Sequence, residues 1–124
     1  MKKILLALAL TVTATAAADT AKKPAAGDPA VVAKDVYKLV LENDRVRVFD
    51  VKFAPGQKAV MHIHPDHVVY VLVDATLRLT GPDGKSQDVS IKAGQTLFLP
   101  AGPHAAENIG KTAAHNLVVE LKGK

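Results

Sequence analysis

Hydrophobic and polar positions from residue 35 onward follow the period of two that is typical of β-strands. Leu77 and Leu79, for example, alternate with polar residues, and turn-forming residues interrupt the apolar runs about every eight to twelve positions. No window in this part keeps the spacing of an apolar helix face long enough to predict a helix. The pattern predicts an all-β domain over residues 35–124, a small antiparallel barrel or sandwich. The main predicted turns are Asn43-Asp44, Pro55-Gly56, Pro65-Asp66, Gly81–Gly84 and Ala93-Gly94.

The first eighteen residues have the layout of a secretory signal peptide. Lys2 and Lys3 give a basic start, Ile4 to Val12 form an apolar run, and small residues precede the expected cleavage site. The apolar run is shorter than the roughly 20 residues that a transmembrane helix needs. We expect cleavage after Ala18, or else after Ala16, and a periplasmic or extracellular protein with no stable membrane anchor. The alternative interpretation of this segment is an N-terminal core helix.

Residues 19–34 are rich in Ala, Lys, Pro and Gly, which predicts a flexible segment before the β domain. The formal net charge of the chain is +4, and Lys2 and Lys3 of the leader contribute to it. The other charges are spread along the chain and only 4% of the residues are aromatic, which argues against a nucleic-acid-binding surface. The chain has no cysteine, so neither disulfides nor thiolate ligands can contribute.

Three histidines fall within the stretch MHIHPDH, residues 61–67. His62 and His64 are two positions apart on a predicted strand, so their side chains point to the same face and can converge on one metal ion. Neutral imidazole is a common ligand of zinc, iron, copper and nickel. The alternative is that one or both histidines only end the strand at the solvent, and spacing alone does not decide between the two interpretations.

The order and spacing of Gly, His, Pro and Asn residues resemble the two sequence motifs of the cupin superfamily. The first motif has Gly, five residues and His-x-His, followed later by Glu and Gly. The second has Gly, five residues and Pro-x-Gly, followed by His and Asn. The matching residues are Gly56, His62-Ile63-His64, Gly94, Pro100-Ala101-Gly102, His104 and Asn108. The resemblance implies the cupin barrel, a double-stranded β-helix similar to a jelly roll.

The sequence departs from the cupin motifs at three points. The Glu ligand of the first motif is missing, and His67 stands near its place after two intervening residues instead of three or four. The second motif has one residue fewer between Gly102 and His104. Asp74 replaces the Gly that ends the first motif, a milder change because Asp tolerates left-handed turn geometry.

The resemblance implies that His62, His64 and His104 bind one divalent metal ion per chain, which would be iron, zinc, manganese or nickel. His67 has two open interpretations. The predicted turn at Pro65-Asp66 resets the strand alternation, so His67 is expected to point to the same side as the site. It is then either a fourth metal ligand or a pocket residue that orients a ligand or a water.

Other residues near the motifs are expected to support the site without binding the metal. The expected rim or supporting carboxylates are Asp66 and Glu107, the residue expected to hold the turn after the second motif is Asn108, and the expected core or pocket-wall aromatics are Tyr70 and Phe98. His115 has no motif around it, and we expect it at a solvated end of the last strand.

The expected function is a secreted cupin that binds a metal ion and a small molecule in its barrel. With iron(II) the resemblance allows dioxygenase-like chemistry, and with other ions isomerase or hydro-lyase chemistry. No general base, nucleophile or phosphate loop is visible, so enzyme status stays open. The alternatives are a non-catalytic barrel that binds metal or a small molecule, and a barrel that has lost its metal. We also expect a homodimer, through apolar edges around residues 37–41.

Overall fold

The structure is a computed structural model that describes residues 27–123. Within this range the chain forms one short helix, α1 (Pro29–Val32), and nine β-strands. The strands are β1 (Tyr37–Glu42), β2 (Val46–Phe53), β3 (Lys58–His64), β4 (His67–Val71), β5 (Ala75–Thr80), β6 (Ser86–Ile91), β7 (Thr96–Leu99), β8 (Gly102–Asn108) and β9 (Ala114–Leu121).

The strands form two antiparallel sheets around one core. The five-stranded sheet has the order β1-β2-β9-β4-β7, and the four-stranded sheet has the order β3-β8-β5-β6. Both sheets contribute buried side chains to the core, among them Phe49, Phe53 and Val71 from the first sheet and Leu77 and Ile91 from the second. The predicted all-β, antiparallel architecture is confirmed.

The predicted turns connect consecutive strands, and two of them set the geometry of the site. Asn43 Oδ1 accepts hydrogen bonds from the backbone N–H groups of Arg45 (2.8 Å) and Val46 (2.9 Å), which holds the β1-β2 hairpin. The turn at Pro65-Asp66 separates β3 from β4. Strand β4 therefore starts a new alternation at His67, which is buried and points inward as predicted.

The expectation of a flexible segment over residues 19–34 is wrong for its described part, residues 27–34. The side chain of Asp28 caps α1 and pairs with the guanidinium of Arg47 at 2.9 Å. Pro29, the first residue of this helix, is buried. Asp28 and α1 are therefore part of the described fold, because the helix packs apolar surface and its cap is fixed by a charged partner.

The predicted signal peptide, residues 1–18, lies outside the described residues, as do residues 19–26. Among residues 27–123, the structure contains no helix that is long and apolar enough to cross a membrane. Cleavage of a leader and export therefore stay predictions.

Candidate metal centre

Two neighbouring strands bring the three predicted metal ligands together. His62 and His64 lie on β3, and His62 pairs directly with His104 on β8. The ring centroids are 4.7 Å apart for His62 and His64, 4.7 Å for His62 and His104, and 5.1 Å for His64 and His104. One ligand nitrogen from each residue lies within 4.8 Å of the other two. Three imidazole nitrogens grouped in this way could together hold one metal ion.

Hydrogen bonds at the Nδ1 atoms fix which nitrogen is free to bind a metal. His62 Nδ1–H donates to the carbonyl oxygen of Val60 (2.6 Å), and His64 Nδ1–H donates to Glu120 Oε1 (2.8 Å). Because a carbonyl or a carboxylate oxygen can only accept, the proton of each neutral ring sits on Nδ1. The lone pair is then on Nε2, which is the arrangement that metal-binding histidines need.

The three histidines are held in their neutral form. Burial, followed by the influence of the neighbouring His62 and His67, lowers the pKa of His64 to about 3. Burial, followed by the influence of His62 and His64, also lowers the pKa of His104 to about 3. The pKa of His62 is lowered as well, mainly by burial. Neutral rings can donate lone pairs to a cation at neutral pH without first losing a proton.

Glu120 on β9 is a buried carboxylate that the sequence analysis missed. It is 1% exposed, accepts the hydrogen bond from His64, and lies 3.6 Å from the Arg47 guanidinium through its other oxygen. Burial raises its pKa, while the charge of Arg47 opposes that rise. Arg47 in turn pairs with Asp28, so a chain of polar contacts connects His64 to the cap of α1. Glu120 orients His64 from behind, a role that carboxylates commonly fill at metal sites.

Tyr37 on β1 is a second missed residue. Its hydroxyl lies 3.2 Å from His62 Nε2 and donates a hydrogen bond to the lone pair of that nitrogen. The side chain is buried against the His62 and His64 rings, and burial raises its pKa above the usual value. A metal ion bound at His62 Nε2 would therefore replace this hydrogen bond from Tyr37.

His67 lies beside the three-histidine cluster on the opposite sheet. Its ring centroid is 4.5 Å from that of His64 but 6.4 Å from that of His104. Its Nδ1–H donates to the carbonyl oxygen of Pro65 (2.8 Å), so its Nε2 also carries the free lone pair. His67 is not one of the group whose ligand atoms lie within 4.8 Å of one another, and it lines the adjoining cavity.

The cavity beside the histidines is predominantly apolar and has a volume of about 110 Å³. Its polar lining consists of His64, His67, His104, Tyr37 and Asn116. The apolar lining comes from both sheets: Val51, Phe53, Val69, Leu77, Leu79, Val89, Ile91, Leu97, Leu99, Ala106 and Val118. Apolar walls with a few convergent polar groups are characteristic of small-molecule sites.

Comparison with known families matches residues 49–120, more than half of the chain, to the family described as "Cupin domain". The chain belongs to the cupin family. A crystal structure of a cupin domain from Bordetella pertussis Tohama I is similar, with 28% sequence identity and a TM-score of 0.67 over 71% of this chain and 93% of that one. The cupin resemblance found in the sequence is thereby confirmed.

Two further solved structures share the cupin fold. A protein with a double-stranded β-helix domain from Klebsiella pneumoniae is 24% identical, with a TM-score of 0.58 over 86% of this chain and 82% of that one. A polyketide cyclase from Streptomyces resistomycificus is 24% identical, with a TM-score of 0.53 over 68% of this chain and 63% of that one. At these identities the likeness concerns the fold alone. Comparison with curated proteins found no match.

Tyr70 and Phe98 do not have the expected core or pocket-wall role in this cupin, and Glu107 does not support the site as a carboxylate beside it. Tyr70 and Phe98 are 42% and 61% exposed, because they alternate with the inward-facing residues of β4 and β7 and so project to the outside. Glu107 lies between the inward-facing Ala106 and Asn108 of β8. It therefore points outward, where its carboxylate is 3.9 Å from the Lys58 ammonium.

The remaining predicted residues hold the cupin scaffold around the site. Asp66 Oδ1 accepts a hydrogen bond from Ala101 N (2.8 Å) and so joins the β3-β4 turn to the loop that precedes His104. Asn108 is fully buried, and its amide donates to the carbonyl oxygens of Phe53 and Thr112. These contacts fix the two ends of β8, the strand that carries His104.

His115 lies on the outer face of β9, away from the cluster. Its Nε2 is hydrogen-bonded to Asp50 on β2, and this contact is the main cause that lowers the pKa of Asp50. The residue is partly buried by its neighbours. Because it lies outside the barrel, His115 can serve as the control residue when the histidines inside the barrel are replaced.

Proposed function

We propose that this cupin binds one divalent transition-metal ion through the Nε2 atoms of His62, His64 and His104, and holds a small organic molecule beside it. The observation that carries the proposal is the convergence of three neutral imidazoles, two of which, His64 and His104, line an apolar cavity. A cluster of nitrogen donors without an acidic member favours iron, zinc or nickel over magnesium or calcium. Three protein ligands leave coordination positions for a substrate.

A metal ion held there would polarise a carbonyl or activate water, or with iron(II) would support dioxygenase-like chemistry. The protein's own groups define the surroundings of that chemistry. Glu120 keeps His64 in the tautomer that presents Nε2, and Tyr37 offers a neutral hydroxyl at His62. His67 faces the cavity from the other sheet and can accept a proton from a bound molecule through its free Nε2. The apolar walls exclude water.

A non-catalytic binding barrel is the second candidate function. The observation that favours it is the composition of the cavity lining. Its titratable residues are His64, His67, His104 and Tyr37. Glu120, the buried carboxylate that contacts the cluster, is already engaged with His64 and Arg47. Such a lining binds an organic molecule well but offers few groups for proton transfer.

Metal analysis of protein purified without an affinity tag tests the proposal. We expect about one iron, zinc, manganese or nickel ion per chain in the wild type and in His115→Ala, and a loss of that ion in His62→Ala and His104→Ala. Equal metal content in all four proteins would contradict the assignment. Oxygen uptake by the iron(II)-loaded protein with 4-ethylcatechol then separates the two candidates: turnover supports the enzyme, and binding without turnover supports the binding barrel.

Export is a further part of the proposal, supported by the basic start, apolar run and small residues of the leader. The leader, residues 1–18, would be removed during secretion, and the mature chain would start near Asp19. Mass spectrometry of the chain produced in a bacterial host with a periplasm checks this. An intact mass that still includes residues 1–18 would contradict it.

A further inference from the structure

Asn116 stands out among the side chains of the cavity. It lies on β9 directly between Val51 on β2 and Val71 on β4, both of which are buried valines. The residue is 4% exposed, and its Oδ1 has no hydrogen-bond partner among residues 27–123. Asparagine is disfavoured in strands, and a buried polar atom without a partner destabilises a fold. Valine would suit this position better if packing were its only role.

The second buried asparagine of the domain shows how such a side chain is satisfied when its role is structural. Asn108 donates to the carbonyl oxygens of Phe53 (3.2 Å) and Thr112 (2.8 Å), and its Oδ1 accepts from Gly110 N (3.0 Å). Both its oxygen and its nitrogen are therefore used. Asn116 makes no comparable contact, although it is part of the cavity wall.

The position of Asn116 relative to the histidines sets the size of molecule that can contact both. His67 on β4 pairs with Glu120 on β9, and Asn116 lies four residues before Glu120 on the same inward face. At about 3.3 Å per residue, this separates Asn116 from the histidine end by about 13 Å along the strand. Apolar side chains from both sheets, such as Val69, Leu97 and Val118, line the space between them.

We propose that Asn116 is the specificity-determining residue of this cavity and that its carboxamide binds a hydroxyl or similar hydrogen-bonding group of the ligand. Resting on the proposed function, this inference assigns the ligand class: a small, largely apolar molecule that approaches the metal ligands with one end and carries a hydrogen-bonding group toward the other. A carboxamide can donate or accept, and its oxygen and nitrogen exchange places by a flip of the group. A site that contains such a group rejects analogues that leave it unpaired.

A comparison of the two buried asparagines tests the first half of the inference without metal or ligand. In the metal-free protein, Asn116→Val should raise the melting temperature by several degrees, because it removes an unpaired polar group and fits between two valines. Asn108→Val should lower the melting temperature, because it leaves two carbonyl groups and one N–H without their partners. A destabilised Asn116→Val would show that the side chain supports the fold and would overturn the inference.

Binding of a matched pair of probes tests the second half. We would titrate 4-ethylphenol and ethylbenzene, which differ only in the hydroxyl group, into metal-free wild type and Asn116→Val and follow binding by NMR. The ratio of the two affinities should shift by about tenfold or more toward ethylbenzene in Asn116→Val, as a hydrogen bond predicts. An unchanged ratio, or no binding of 4-ethylphenol to the wild type, would overturn the inference.

The two proposals fail separately in this design. Metal content is measured on the same samples before the metal is removed, and a protein without metal would refute the histidine site alone. The stability comparison and the probe ratio are both measured without metal, so they report on Asn116 whether or not the histidines bind an ion.

Discussion

Several positions of strand β9 depart from the pattern of an ordinary half-buried strand. Asn116 and Glu120 point into the barrel, where they are 4% and 1% exposed. Leu117, Val119 and Leu121 point outward, where Leu121 is 39% exposed. Antiparallel sheets with one solvated face usually place apolar residues inside and polar residues outside. In β9 the inward positions include the residues that support the proposed site.

One row of the outer face is apolar across the whole five-stranded sheet. Cross-strand pairing places five side chains in one row, which we call the outer row: Leu41, Val48, Val119, Val68 and Phe98. Phe98 at one end is 61% exposed, and Leu41 at the other end is 49% exposed. The row ends at β1, the edge strand that the sequence predicts as a dimer contact.

The difference between the two faces supports two separate proposals for one sheet, a ligand site inside and a dimer contact outside. Polar side chains in the interior lower the stability of the fold, and they are kept where they orient a ligand or a metal-binding residue. Apolar side chains outside favour association with another surface. A copy related by twofold symmetry can cover both the outer row and the exposed edge of β1, since a twofold interface pairs a surface with itself.

Removal of a metal ligand should have the largest effect on the inner face. His62→Ala, His64→Ala and His104→Ala should each lower metal affinity by more than the roughly 10- to 100-fold expected for a residue behind the ligands. The fold should persist, because the apolar core lies mainly in other residues. Titration calorimetry with zinc(II), with circular dichroism as a control for folding, measures this. Wild-type affinity in His62→Ala and His104→Ala would refute the site.

Acid should lower the free energy of unfolding through the buried histidines of the inner face at a higher pH than through the groups of the outer face. The pKa of His64 and of His104 is about 3 in the folded protein, against about 6.5 in an unfolded chain. Below about pH 6.5 the unfolded chain takes up protons that the folded cluster does not. The free energy of unfolding of the metal-free protein should therefore fall between about pH 6.5 and pH 3, by at most about 2.7 kcal/mol per pH unit for two such groups.

The outer pair of Asp50 and His115 provides the contrast for this measurement. The pKa of Asp50 is lowered from 3.8, so its contribution is present above that value and is lost only as the pH falls through the lowered pKa. Urea unfolding at pH 7, 6, 5 and 4 separates the two effects. A free energy of unfolding that is constant from pH 7 to pH 5 would show that the buried histidines do not resist protonation.

Replacement of Glu120 should weaken metal binding through His64. Glu120→Leu removes the acceptor of the His64 Nδ1–H, and we expect metal affinity to fall about 10- to 100-fold. Glu120→Gln keeps an oxygen that can accept this hydrogen bond and should restore most of the affinity. Calorimetry with zinc(II) on both variants tests the role, and equal losses in both would contradict it. His67→Ala separates the two interpretations of His67. A loss of about this size would indicate a supporting residue, and a larger loss would indicate a fourth ligand.

The sequence was sufficient for the parts of the fold and site that depend on local spacing. His62 and His64 share a face because they are two residues apart, and His67 joins the interior because Pro65-Asp66 breaks the strand. The turn residues, such as Asn43, have local hydrogen-bonding roles that do not depend on distant partners. These features follow from strand geometry and turn chemistry alone.

The sequence was not sufficient where the usual assignment of polar residues to the outside fails. In β9 that rule would place Leu117 and Val119 inside and Glu120 outside, which is the reverse of the structure. Tyr70 and Phe98 were assigned to the pocket for the same reason, since exposed aromatics are uncommon. Glu120 contacts His64 across 56 residues of sequence, and only the strand order β9-β4 and the facing sheets bring the two together.

A charge in the outer row should weaken association without affecting the metal site. Phe98→Asp places a carboxylate at an exposed apolar position, and we expect the dimer dissociation constant to rise about tenfold or more because the charge must be desolvated in the interface. Ser90→Asp on the four-stranded sheet is the control, since it adds the same charge to another exposed strand. Sedimentation equilibrium at several concentrations measures the constant. A monomeric wild type at tens of micromolar, or equal effects of both variants, would contradict the homodimer.

The smallest effect is expected for the histidine of the outer face. His115 lies on the same strand as Asn116 and Glu120, but it points away from the barrel and pairs with Asp50. His115→Ala should leave zinc(II) affinity within twofold of the wild type, a margin of roughly 0.4 kcal/mol. It should lower the free energy of unfolding at pH 6 by only about 0.2–1 kcal/mol, as is usual for a pair at the surface. Calorimetry and urea unfolding of this one variant measure both quantities. A marked loss of metal affinity would mean that strand orientation does not determine which histidines bind metal.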